Sequence, residues 1–192
     1  MLSGKDVYYE KPLAISEKEL EQTIDAVDRS GKRLFVAFNR RFSPPVRYIK
    51  RIIKDITSPL MINYLMNAGY IPKEHWINDT EIGGGRIVGE GSHIVDLFKY
   101  LTDSPVKSVQ RNNISSRSSE IDPNANRNIT IAYEDGSIAN LVYTSIEGKA
   151  FPKETCFIFN QNTVIKLDNY KSITICNNSK CKTIKYKGIQ KG

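Results

Sequence analysis

Two stretches of this chain hold residue types that can move a proton. The first is Glu10-Lys11-Pro12, a lysine set between a carboxylate and a proline. The second starts with Gly83-Gly84-Gly85 and runs through Gly89-Glu90-Gly91-Ser92-His93 to Asp96. A lysine ammonium can hydrogen-bond a hydroxyl and stabilise the alkoxide charge that develops as its proton leaves. An imidazole, whose ordinary pKa lies near neutrality, can carry that proton. Asp96 would lie about one helical turn beyond His93 on the same face, where it could set the imidazole tautomer or bind substrate. The glycines would let backbone approach a ligand closely and would set a helix start.

Each residue also has a plainer reading. Lys11 alone reads as a surface lysine. A lone His93 on an apolar helix reads as a hydrogen-bonded core residue. The flanking motifs turn both toward function. Arg86 and Glu90 read equally as a cap or ion pair and as substrate contacts. Trp76 reads equally as core and as a wall of a substrate pocket, and His75 reads as surface.

The elements that must position these residues can be read from periodicity. Residues 6–10 form a short apolar run stopped by Pro12, which cannot donate to a strand ladder. Ser16 and Glu19 make a capping box. Leu20, Ile24, Ala26 and Val27 then recur at helical spacing up to Gly31. Residues 33–38 are a second β-rich run, so strand, helix and strand follow with short links, as in a parallel βαβ unit. After the loop 39–45, a helix opened by Pro44 or Pro45 runs to about Asp55. Residues 60–66 read as a strand and 67–85 as a long irregular loop, a length that in compact domains is often functional. Residues 92–101 read as a helix. Beyond Pro105 the pattern is strands only: 106–114, a hairpin of 128–133 and 138–144 around Asp135-Gly136, then 155–160, 163–167, 172–176 and 183–186. A Ser/Asn-rich loop, 115–126, separates the first two.

Composition narrows the class. The chain has 192 residues, 40% apolar and 26% charged, which is ordinary for a globular protein and excludes a disordered one. No apolar run approaches a bilayer span, and the first six residues lack the layout of a signal peptide, so the cytoplasm is the expected compartment and no membrane partner is expected. The net charge of +7 is spread along the chain without any nucleic-acid-binding motif. It reads as a solvated basic surface, or as attraction for a phosphate-bearing small molecule. Nucleic acid is not an expected partner. Cys156, Cys176 and Cys181 have no metal-ligand spacing; reduced thiols are expected, and no metal site.

No G-x-G-x-x-G and no Walker pattern occurs, and no strand-turn-helix precedes Lys5. The expected fold class is therefore α+β. Residues 1–42 would hold the parallel βαβ unit, and residues 43–192 a mixed or antiparallel β-sheet covered by the earlier helices on one face. A fragment, or a short chain that has lost its N-terminal half, is the expectation.

Taken together, Glu10-Lys11-Pro12 before a capped helix, the segment 39–44, and the glycine triplet leading to His93 and Asp96 resemble the Gfo/Idh/MocA family (glucose–fructose oxidoreductase, inositol dehydrogenase and rhizopine catabolism). The resemblance covers nearly the whole chain, and implies that residues 1–42 are the C-terminal remnant of a Rossmann dinucleotide-binding α/β unit and residues 43–192 a substrate and catalytic domain with a large open sheet. It implies an NAD(P)-dependent oxidoreductase acting on a secondary alcohol of a sugar, nucleotide sugar or cyclitol, and a homo-oligomer formed through the sheet face. It gives Lys11, His93 and Asp96 catalytic roles. It gives Glu10, Lys11, Pro12, Asn39 and Arg40 contacts with NAD or NADP. Trp76, Arg86, Glu90 and His93 would face the substrate. Many members carry an aspartate at the position of Gly89, and Glu90 is the candidate substitute. A different class of function is also open: a sheet-based dimerisation or binding module that no longer binds dinucleotide.

Overall fold

The computed structural model describes residues 1–54, 58–72, 74–115, 121–146 and 148–188. The chain divides into two compact units, one holding Met1–Phe38 with Pro72–His93, the other Asn39–Ile71 with Ile94–Gly192.

In the first unit, β1 (Val7–Tyr9) pairs in parallel with β2 (Leu34–Val36), Val7 opposite Leu34. Helix α1 (Glu17–Ser30) connects them. Its start is the capping box read from the sequence: Ser16 Oγ accepts from the Glu19 N–H at 3.3 Å. In return Glu19 Oε2 accepts from the Ile15 N–H at 2.9 Å. Its end is Gly31, at φ 58°, a left-handed conformation that costs glycine nothing. The segment 72–91 adds a short 3-10 turn (Trp76–Asn78) and a π-helical turn (Ile87–Gly91).

The second unit is built on an eight-stranded sheet of order β10-β9-β8-β7-β3-β6-β5-β4. The strands are β3 (Met61–Asn67), β4 (Val106–Asn113), β5 (Arg127–Tyr133), β6 (Ile138–Thr144), β7 (Glu154–Asn160), β8 (Thr163–Asp168), β9 (Ser172–Cys176) and β10 (Cys181–Lys185). Neighbours β3 and β6 run parallel and the other pairs antiparallel, so the sheet is mixed. Alternation along β3 buries Ile62, Tyr64 and Met66 on one face. That face also buries Leu141, Tyr143 and Ile158, in one core with the apolar stripes of α2 (Pro44–Ile53) and α3 (Ser92–Thr102). Val46, Ile49 and Ile53 of α2 are buried there, each contributing about 2 kcal/mol. The opposite face leaves Met61, Ile138, Val142, Phe157, Phe159 and Val164 exposed.

Strand ends differ from the sequence reading by one or two residues, and the helix end expected near Asp55 lies outside the described residues, as do residues 116–120 of the Ser/Asn-rich loop. One expectation is corrected. Cys176 and Cys181 are not reduced thiols: the β9–β10 register sets them opposite each other, and they are joined by a disulfide. Cys156 is a buried free thiol, its pKa pushed up by burial.

Candidate functional site

Strand β1 ends just before Lys11, which places the lysine at the carboxyl end of a parallel pair, where open α/β sheets receive ligands. The Lys11–Pro12 peptide bond is cis. Lys11 is half-buried, and its Nζ donates to the Gly89 carbonyl at 2.7 Å. Gly89 belongs to the π-helical turn Ile87–Gly91, about one turn ahead of His93. The two motifs, 78 residues apart at this bond, are thus joined within the first unit. His93 is 4% exposed. Phe38, which follows β2, presents its ring edge-on to the imidazole at 6.0 Å between centroids.

The glycine triplet is fixed by close packing. A Cβ on Gly83 would lie 2.7 Å from the Trp76 carbonyl oxygen and 2.8 Å from Ile77 Cα. Gly84, at φ 68°, would meet Ile15 at 2.9 Å. The segment 83–85 therefore locks onto the Trp76–Asn78 turn and leads into helical backbone. Arg86 is buried and donates to Glu90 Oε2 at 3.3 Å, so of the two readings for this pair the ion pair is present. Trp76 is 58% exposed, which removes the core reading. His75 is exposed, and its Nδ1 accepts from the Ile77 N–H at 3.2 Å. Glu10 is exposed and Pro12 half-buried.

Asn39, Arg40 and Asp96 fall in the second unit. Asn39 opens a 3-10 turn, Asn39–Phe42. The Arg40 guanidinium is 10% exposed and donates to both oxygens of Glu154, at 3.0 and 3.1 Å. Glu154 also accepts from the Tyr64 hydroxyl, which lies 3.1 Å from that of Tyr170. Burial works against the Arg40 charge, but the Glu154 carboxylate outweighs it and the pKa rises. Asp96 is clasped by Arg41, Nε to Oδ2 at 2.8 Å with Nη2 on the other oxygen. Burial raises the Asp96 carboxyl, and the hydrogen bond from Arg41 pulls the other way.

Sequence reasoning missed Arg41, Glu154, Tyr64 and Tyr170. A carboxylate opening the apolar strand Glu154-Thr155-Cys156-Phe157-Ile158 was the available signal, since a buried carboxylate demands a cation.

A parallel βαβ unit bearing a lysine at its strand end and a mixed eight-stranded sheet with helices on one face are the features that a family assignment must account for. Residues 46–160 match the model of the GFO/IDH/MocA C-terminal domain, and the chain belongs to that family. It is similar to the oxidoreductase YrbE of Bacillus subtilis, 27% identical over 140 residues, covering 70% of this chain and 40% of that protein. It is 34% identical over 103 residues to inositol 2-dehydrogenase 2 of Saccharopolyspora erythraea, covering 52% of this chain and 28% of that one. In fold it resembles an inositol dehydrogenase homologue from Azotobacter vinelandii complexed with NAD+, with a TM-score of 0.81 at 14% identity, covering 95% of this chain and 51% of the other. The chain spans about half the length of that solved chain and less of the two sequence relatives.

Proposed function

We propose that this chain carries the proton-handling part of an NAD(P)-dependent oxidoreductase acting on a secondary alcohol of a sugar, nucleotide sugar or cyclitol. The observation that carries the reading is the Lys11 Nζ to Gly89 carbonyl bond, which ties the lysine to the turn that precedes His93. The names of the relatives, inositol 2-dehydrogenase among them, support the substrate class. In this reading Lys11, whose Nζ donates to the Gly89 carbonyl, also donates a hydrogen bond to the substrate hydroxyl oxygen and stabilises its developing negative charge. His93 takes the hydroxyl proton. A nicotinamide, when bound, supplies the hydride acceptor. Glu10, Lys11 and Pro12, at the carboxyl end of β1, fit the reacting end of such a cofactor. The sequence contains no glycine fingerprint for its pyrophosphate.

Asn39 is proposed as a cofactor contact, with Arg40 acting through it because its guanidinium is committed to Glu154. Trp76, Arg86 and Glu90 are proposed to face substrate. Asp96, committed to Arg41, is assigned to holding α3 in place. Residues 1–42 are assigned to a dinucleotide-binding domain and 43–192 to the substrate domain. The cytoplasm is the proposed compartment, and a reducing environment there would open the Cys176–Cys181 bridge. Among the described residues, no helix is long and apolar enough to cross a membrane.

The test is Lys11→Met in the natural protein that carries this chain. Turnover on cyclitols and sugars should fall about 10²–10⁴-fold, with nicotinamide affinity held. Near-normal turnover would remove Lys11 from the chemistry. The apolar outer face of the sheet favours a second reading, a sheet-mediated dimerisation or binding module, and is the proposed homo-oligomer surface in either case. Nicotinamide fluorescence on adding NADH separates the two: no binding by a stable dimer would leave the module.

A further inference from the structure

Helix α2 carries a stripe of cations, and Arg41 just before it lies 5.3 Å from the Tyr100 ring centroid. Arg47, Lys50 and Arg51, with Lys54 at its C-cap, recur at spacing i, i+3, i+4 and i+7, and the helix contains no carboxylate. Like charges at this spacing repel along an isolated helix. A solvated face would hold them apart in open water. Here they line one side of a cleft of about 720 Å³, within the range of small-molecule sites. The far side is the C-terminal end of α3, from Tyr100 to Asp103, together with Asp135 in the β5–β6 turn.

Two of the cations are already positioned. Lys50 is half-buried; its Nζ donates to the Leu101 carbonyl at 3.1 Å and lies 5.5 Å from the Tyr100 ring centroid. Burial lowers its pKa, with the nearby Asp103 carboxylate working the other way. The Arg51 guanidinium sits 5.2 Å from the Tyr48 ring centroid. Among the described residues, two carboxylates, Asp103 and Asp135, line the cleft beside four cations. Asp135 is occupied by the Ser137 N–H at 3.0 Å and the Ser137 hydroxyl at 2.8 Å. Asp103 stands near Lys50.

We propose that this cleft binds a small phosphate-bearing anion. Guanidinium groups match phosphate oxygens two at a time, and an ammonium adds a point charge. The concave walls favour a small ligand over an extended polyanion, whose contacts would lie on an open surface.

The experiment titrates pyrophosphate into the full chain at constant ionic strength, following backbone amide shifts. Saturable changes should appear in α2, residues 100–103 and Asp135. The double variant Arg47→Gln/Arg51→Gln, both at exposed positions, should weaken binding at least tenfold. Lys182→Ala, an exposed lysine on β10, should leave binding unchanged. Shifts that do not saturate, an unchanged affinity in the double variant, or an equal loss in Lys182→Ala would overturn the proposal. So would a DNA duplex that displaces pyrophosphate at lower phosphate concentration.

Discussion

Glu154 shows how a single buried charge organises its surroundings. It is 1% exposed, holds both arms of the Arg40 guanidinium and accepts from Tyr64. Removing one partner of such a pair leaves the other charge desolvated, a loss of about 3–5 kcal/mol. Glu154→Ala should therefore lower the thermal midpoint by many degrees in calorimetry, with α2 loosened because Arg40 anchors the turn before it. A loss below about 1 kcal/mol would mean that water reaches Arg40 and the pair is not buried in solution. Lys11, His93 and Asp96 were all visible as residue types in the sequence. Their partners were not. Nothing local says that Lys11 meets the Gly89 carbonyl or that Asp96 meets Arg41, since those pairs are set by chain segments 78 and 55 residues apart.

At the scale of elements, the glycine triplet and the π-helical turn do the positioning. Gly83 packs against backbone atoms of Trp76 and Ile77, which cannot swing aside as a flexible side chain would. Gly83→Ala should cost about 1–3 kcal/mol and displace the Trp76–Asn78 turn. Gly148→Ala, where a Cβ meets nothing within 4 Å, should be neutral and serves as the control. Chemical denaturation of both variants checks this, and equal stabilities would refute the packing argument. The capping box, the Gly31 stop and the Asp135-Gly136 hairpin were legible because each rests on a side chain bonding backbone two or three residues away, or on one glycine's freedom. The π-helical turn was not legible. Its glycines have poor helical propensity, and an extra residue per turn depends on tertiary contacts such as the one the Gly89 carbonyl makes with Lys11.

For the whole molecule, the buried tyrosines of the second unit set its response to alkali. Burial pushes Tyr133 up to about 12, and pushes Tyr64 and Tyr170 up as well. A group whose folded pKa exceeds its unfolded value of 10.0 favours the fold fully below that value. That contribution is then lost as pH rises through the folded value. Stability should therefore hold up to about pH 10 and fall through pH 12 and above. Absorbance at the phenolate band should show these tyrosines ionising late, together with unfolding. Ionisation of all ten near pH 10 without loss of structure would contradict it.

The sequence by itself determined the local order: parallel βαβ, two further helices, then strands, with the lysine at a strand end and the histidine at a helix start. Those features follow from period, caps and turn residues, which act over a few positions. The tertiary structure alone decided the insertion of β3 between β6 and β7, which makes the sheet mixed, and the disulfide between Cys176 and Cys181. It also decided the ion pairs that hold Arg40 and Arg41. Burial supplies the reason. A charge or a strand finds its partner by what else must leave water with it, and that is a property of the assembled core.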